Sequence, residues 1–140
     1  MVPRIRILVV GLVALATCAA GAAATTPKPQ LLVSVSATGG LCPPSMCHWG
    51  ARITTTTISG EGRRSRRITA AERSALTQAI AQLRVPSLPR FKGTCPIAYD
   101  GQELHYRFRD KPEVRSCRYD LRRVRAVQLT DRLIASLPSR

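Results

Sequence analysis

The sequence predicts an α+β fold: a small antiparallel sheet of about five strands, two helices packed on one face, and two disulfides. Three observations lead there. Segments with period-two alternation recur between Gly- and Pro-rich turns. Two stretches carry apolar residues at helical spacing and have their own start or stop signals. Four cysteines remain once an N-terminal leader is set aside, an even number in a short chain. The order strand, strand, strand, helix, strand, strand, helix joins strands by hairpins and sets helices apart, as in a layered α+β domain.

The elements follow in order. Leu31 to Ser36 alternates, with Leu31, Val33 and Val35 on one face. Residues 38–46 form a Gly- and Pro-rich loop. His48 to Thr57 is expected as one strand, with Trp49, Ala51, Ile53 and Thr55 toward the core. Gly60-Glu61-Gly62 makes a turn, and Arg63 to Ile68 returns as a basic third strand. Thr69-Ala70-Ala71-Glu72 is a capping box. The helix it opens runs to about Arg84 on a stripe of Leu76, Ala79, Ile80 and Leu83, and Val85-Pro86 stops it. Glu103 to Arg109 is a strand with Leu104, Tyr106 and Phe108 inward and Glu103, His105, Arg107 and Arg109 outward. A turn at Asp110-Lys111-Pro112-Glu113 leads to a partner strand from Val114 to Asp120. A last helix is expected over about Gln128 to Leu137, on Leu129, Leu133 and Leu137. An open, arginine-bearing face of the sheet would stay wet.

The chain begins like an exported one. Arg4 and Arg6 precede ten uncharged, apolar residues, 7–16, and Ala22-Ala23-Ala24 has the small-x-small pattern of a cleavage site. Ten residues are too few to span a bilayer, which takes ~20. A signal peptide over 1–24, a linker over 25–30 and one disulfide-stapled domain over 31–138 are therefore expected, secreted to the extracellular side. Leu15-Ala16-Thr17-Cys18 also resembles a bacterial lipoprotein signal, with Thr17 where Gly, Ala or Ser is usual. That resemblance implies a lipid anchor through Cys18.

Export favours disulfides among Cys42, Cys47, Cys95 and Cys117. Three connectivities are open, and Cys42–Cys47 with Cys95–Cys117 is the economical one. A zinc site from Cys42, Cys47, Cys95 and His48 fits poorly, because the five-residue step from Cys42 to Cys47 is at the wide end of zinc-knuckle spacing. No G-x-S-x-G or comparable signature accompanies His48 or His105. No cofactor motif appears, and a non-enzymatic domain is expected.

Without residues 1–24 the chain keeps 20 basic and 8 acidic side chains, a net charge of +12. Such charge invites an anionic polymer or surface. The full chain has 19 arginines and 3 lysines, a skew that a GC-rich coding composition also produces. The densest cluster is Arg63, Arg64, Arg66 and Arg67. With Arg107 and Arg109 it makes the candidate anion-binding set, since guanidinium forks suit phosphates and sulfates. Aromatic residues are few, so stacking on bases is unsupported and no specific nucleic-acid partner is implied.

Two cysteine-anchored segments stand out, Gly39 to Trp49 and Gly93 to Glu103. Together they resemble a group of small secreted proteins of actinobacterial type, over nearly all of the mature chain, a resemblance that implies no function. Within the second, Cys95-Pro96-Ile97-Ala98-Tyr99-Asp100 resembles the inhibitory loop of the bacterial subtilisin-inhibitor family, Cys-Pro-x-x-Tyr-Asp pinned by a disulfide. The resemblance implies that Ile97 enters the pocket of an extracellular protease, with Ile97–Ala98 as the scissile bond. In that family the first cysteine pair is wider and the chain ends in a strand, whereas a basic segment and a terminal helix stand here. A basic binding module is thus the leading expectation, and a protease inhibitor the alternative.

Overall fold

The computed structural model describes residues 28–40 and 49–140. The expected signal peptide, Cys18, Cys42, Cys47 and His48 lie outside the described residues. The fold is α+β, built on one antiparallel sheet of six strands. The strands are β1 (Leu31–Thr38), β2 (Trp49–Thr54), β3 (Thr57–Gly60), β4 (Arg66–Arg67), β5 (Glu103–Phe108) and β6 (Val114–Arg115). The helices are α1 (Ala70–Gln82) and α2 (Arg125–Ala135). The sheet order is β4-β3-β2-β1-β5-β6, so β1 sits near the middle, paired with β2 on one side and β5 on the other.

The sixth strand arises because the expected second strand folds back on itself. The Thr54 hydroxyl accepts from the backbone N–H of Thr56 (3.2 Å) and Thr57 (2.9 Å), closing a tight turn in which Thr55 no longer faces the core. Side-chain oxygens that capture nearby backbone donors compete with strand ladders in this way. The turn at Glu61-Gly62 is present, but it follows β3 and leads to a bridge between Arg63 and Ser139. The fold therefore reaches past residue 138. The expected third strand shrinks to Arg66–Arg67, because Arg63 and Arg64 pair with Ser139 and Pro138 instead.

One face of the sheet carries Val33, Val35, Ala51, Ile53, Ile58, Tyr106, Phe108 and Val114, all buried. The register shifts between Leu31 and Val33, and both Leu32 and Val33 enter the core. Both helices close over this face in a single apolar cluster. The capping box forms as expected: the Thr69 hydroxyl accepts from Glu72 N–H and the Glu72 carboxylate accepts from Thr69 N–H. Leu76, Ala79 and Ile80 turn inward.

The second helix starts three residues before the expected Gln128. Its inner face is Ala126, Val127, Thr130, Leu133 and Ile134, and Leu129 is only half-buried. The every-fourth-residue leucine row drifts off the contact line of a 3.6-residue helix, whereas the observed set follows it. Buried Thr130 donates to the Ala126 carbonyl at 2.8 Å. The Tyr106 hydroxyl crosses the core to donate to Asp131 Oδ1 at 2.9 Å.

β6 also ends early. After Arg115 the chain turns through Ser116, Cys117 and Arg118, and Tyr119 bridges Arg90. That turn carries Cys117 to Cys95, with 5.1 Å between their Cα atoms. It is the one disulfide among the described residues.

A candidate anion-binding surface

The six expected arginines do not form one patch. Arg66 and Arg67 lie on β4, and Arg107 lies on β5. Three strands stand between them, which places β4 and β5 about 19 Å apart at ~4.8 Å per step. Arg66 holds the fold together. It donates to both Glu72 oxygens (2.9 and 3.0 Å) and to Ser136 Oγ, tying β4 to the start of α1 and the end of α2. Arg63 donates to the Leu137 carbonyl. Arg107 is engaged with Glu113 at 2.7 Å, and Arg109 with Gln30 and Asp110. Arg64 and Arg67 remain exposed, with no side-chain ion pair.

On the open face, β1, β5 and β6 share a polar network. His105 Nε2 lies 3.0 Å from the Thr38 hydroxyl, and Nδ1 lies 3.0 Å from Glu113 Oε1. Hydroxyl, imidazole and carboxylate in that order resemble a nucleophile relay. The members are tied elsewhere, however. Arg107 holds Glu113, Arg115 holds Glu103, and Glu103 Oε2 stands 3.5 Å from the same Nε2. The imidazole thus lies between two carboxylates, and Glu103 competes with Thr38 at Nε2.

Glu103 is a correction to the expected pattern. Its side chain is only 4% exposed although it sits on the polar face. The bidentate Arg115 fork and the Cys117 backbone N–H satisfy it there.

These contacts set the response to acid. The Arg66 fork and the Thr69 backbone N–H hold Glu72 down to about 2. Arg122 holds Asp120 down to about 2. Arg115 lowers Glu103, and Arg107 and then His105 lower Glu113. Asp131 runs the other way: burial raises it, opposed by the Tyr106 hydrogen bond. A carboxylate depressed by folding adds stability above its unfolded value and loses it as pH falls through the folded one. Four depressed groups outnumber one raised group, so the urea midpoint should hold near neutrality and fall between about pH 5 and pH 2. Glu72→Gln should flatten part of that fall. A midpoint constant from pH 5 to pH 3 would show that these pairs add nothing.

The segment Cys95 to Asp100 is coiled. Pro96–Tyr99 form a 3-10 turn, with Ala98 N–H donating to the Cys95 carbonyl and Gly101 N–H to the Pro96 carbonyl. Asp100 closes the turn with φ of 63°. Ile97 is 42% exposed and rests on Gly39, where a Cβ would come within 2.8 Å of Ile97 Cγ1. Only glycine fits there, at φ of +94°. The Ile97–Ala98 bond thus lies inside a hydrogen-bonded turn, not on an extended strand of the kind that adds to a partner's β-edge.

The arginines that do converge were not among the six. Arg84, Arg123 and Arg125 line one cavity of about 320 Å³ between the end of α1 and the start of α2. Beside it, Arg90 and Arg118 stand 5.3 and 5.5 Å from the Tyr119 ring centre. The run Arg122-Arg123-x-Arg125 is visible in the sequence, but Arg84 joins it only through tertiary packing. Five of the eight carboxylates are paired, each with a different arginine: Arg66, Arg107, Arg109, Arg115 and Arg122. Twelve of the 17 arginines in the described residues therefore have no carboxylate partner.

Among the described residues no group of three or more His, Cys, Asp or Glu is placed to hold a metal ion, and no helix is long and apolar enough to cross a membrane. No family model matches the chain, and no curated protein or solved structure matches it either.

Proposed function

We propose that this protein is an exported, non-enzymatic module that binds anionic polymers through its arginine surface. The observation that carries the reading is the set of twelve arginines without a carboxylate partner. Internal pairing consumes most of the acidic side chains and leaves the cationic excess facing water. Guanidinium forks grip phosphate and sulfate oxygens in pairs, and weak hydration makes them easier to desolvate than ammonium groups. Fixed positive charge on a stapled scaffold also raises the rate of encounter with polyanions.

Retention of the mature protein on immobilised polyphosphate tests the reading. Elution should need salt well above 0.15 M and should shift steadily as salt screens the contacts, with a screening length of about 8 Å at that concentration. Elution below physiological salt would sink the reading and leave the arginines as a solvated coat.

A further inference from the structure

We propose that the cavity between the end of α1 and the start of α2 is the seat of a single phosphate group, gripped by Arg84, Arg123 and Arg125. This rests on the polyanion reading and adds to it a defined locus and a preferred oxyanion.

The chain holds these three side chains on backbone that cannot drift. Arg84 stands between Leu83 and Val85, and Arg125 between Val124 and Ala126; all four neighbours are buried in the core. Arg123 directly precedes Val124. Each arginine is thus the exposed residue beside buried anchors, on segments fixed by packing. Backbone held in place before the ligand arrives lowers the entropy lost on binding.

The charge balance at the cavity favours a phosphate. Asp120 lines it too, but Arg122 takes both of its oxygens, at 2.9 and 2.6 Å. The Arg122–Asp120 pair is neutral, Arg123 also feels the Asp120 charge, and three guanidinium groups without an ion pair remain on the rim. A phosphate monoester carries about −1.5 to −2 at neutral pH, so it matches three cations better than a sulfate ester of single charge. The cavity holds the volume of about ten waters, at ~30 Å³ each. That leaves room for the group and part of the unit bearing it.

The test is a titration of the mature protein with methyl phosphate and, separately, methyl sulfate at constant ionic strength, followed by NMR at the arginine Nε–Hε groups. Arg84, Arg123 and Arg125 should shift together and saturate with methyl phosphate, more weakly with methyl sulfate. Arg123→Gln with Arg125→Gln should abolish saturation and weaken polyphosphate binding at least about tenfold. Arg64→Gln with Arg67→Gln removes the same charge from β4 and its flank, and should change binding by no more than about threefold. All four side chains are exposed, so the variants should keep the parent melting temperature. Arg123→Lys keeps charge without the fork and should fall between.

Equal loss in the two double variants, or shifts spread over all arginines without saturation, would overturn the cavity while leaving polyanion binding intact. Equal response to methyl sulfate would overturn the preference for phosphate. No retention of the parent on polyphosphate would defeat the underlying reading instead.

Discussion

Cys117→Ser is expected to lower the melting temperature by about 10–15 °C, because it removes a staple worth about 3 kcal/mol in the chain-entropy description. The bridge closes a loop of 22 residues between the segment before β5 and the turn after β6. A domain of this size has only ~5–15 kcal/mol in all. The turn is also held by backbone bonds, from Phe91 N–H to the Arg118 carbonyl and from Asp120 N–H to the Pro89 carbonyl. If those bonds suffice in the folded state, the variant keeps its spectrum at 20 °C and loses stability mainly through a looser unfolded chain. Circular dichroism melts of the parent under reductant and of the variant should then agree on one midpoint, lowered from that of the oxidised parent. A drop of less than about 3 °C would show that the backbone bonds alone define this end of the sheet.

Leu76→Ala is the second large loss, expected at about 2–5 kcal/mol. Leu76 is fully buried at 0% exposure, at the centre of the inner face of α1. Truncation removes apolar contact and leaves a cavity between helix and sheet that the packed strands cannot collapse into. Leu129→Ala is the control. It makes the same chemical change on a helix of similar length, but at a half-buried position, and should cost less than half as much. Urea unfolding measures both, and equal costs would contradict the assigned inner face of α2.

Leu129 shows where sequence patterning stops. A row of leucines at every fourth residue reads as a stripe, yet the helix presents 126, 127, 130, 133 and 134 to the core, a face that includes a threonine and an alanine. Local chemistry was easier to read. The capping box at Thr69 and Glu72, the alternation of β5 and the Cys95–Cys117 pairing depend on neighbours or on few alternatives. The turn at Thr54 was hidden because four consecutive threonines offer no Gly or Pro to mark a break. Buried Glu103 was hidden because its partner, Arg115, arrives from another strand. Arg84 and Arg123 meet only when two helix ends are packed together, and composition cannot show that. Charge density pointed to Arg63–Arg67, but Arg66 there is a structural tie.

The sheet's two outermost strands, β4 and β6, are each two residues long. An extended peptide laid along either margin would therefore find a ladder of at most a few backbone bonds, too short for the main chain to supply affinity. The same brevity guards against copies of the chain stacking edge to edge at high concentration. Among the described residues, what the sheet faces and helix ends offer a ligand is therefore side chains, and a ligand with charges and no amide backbone would lose nothing at these margins.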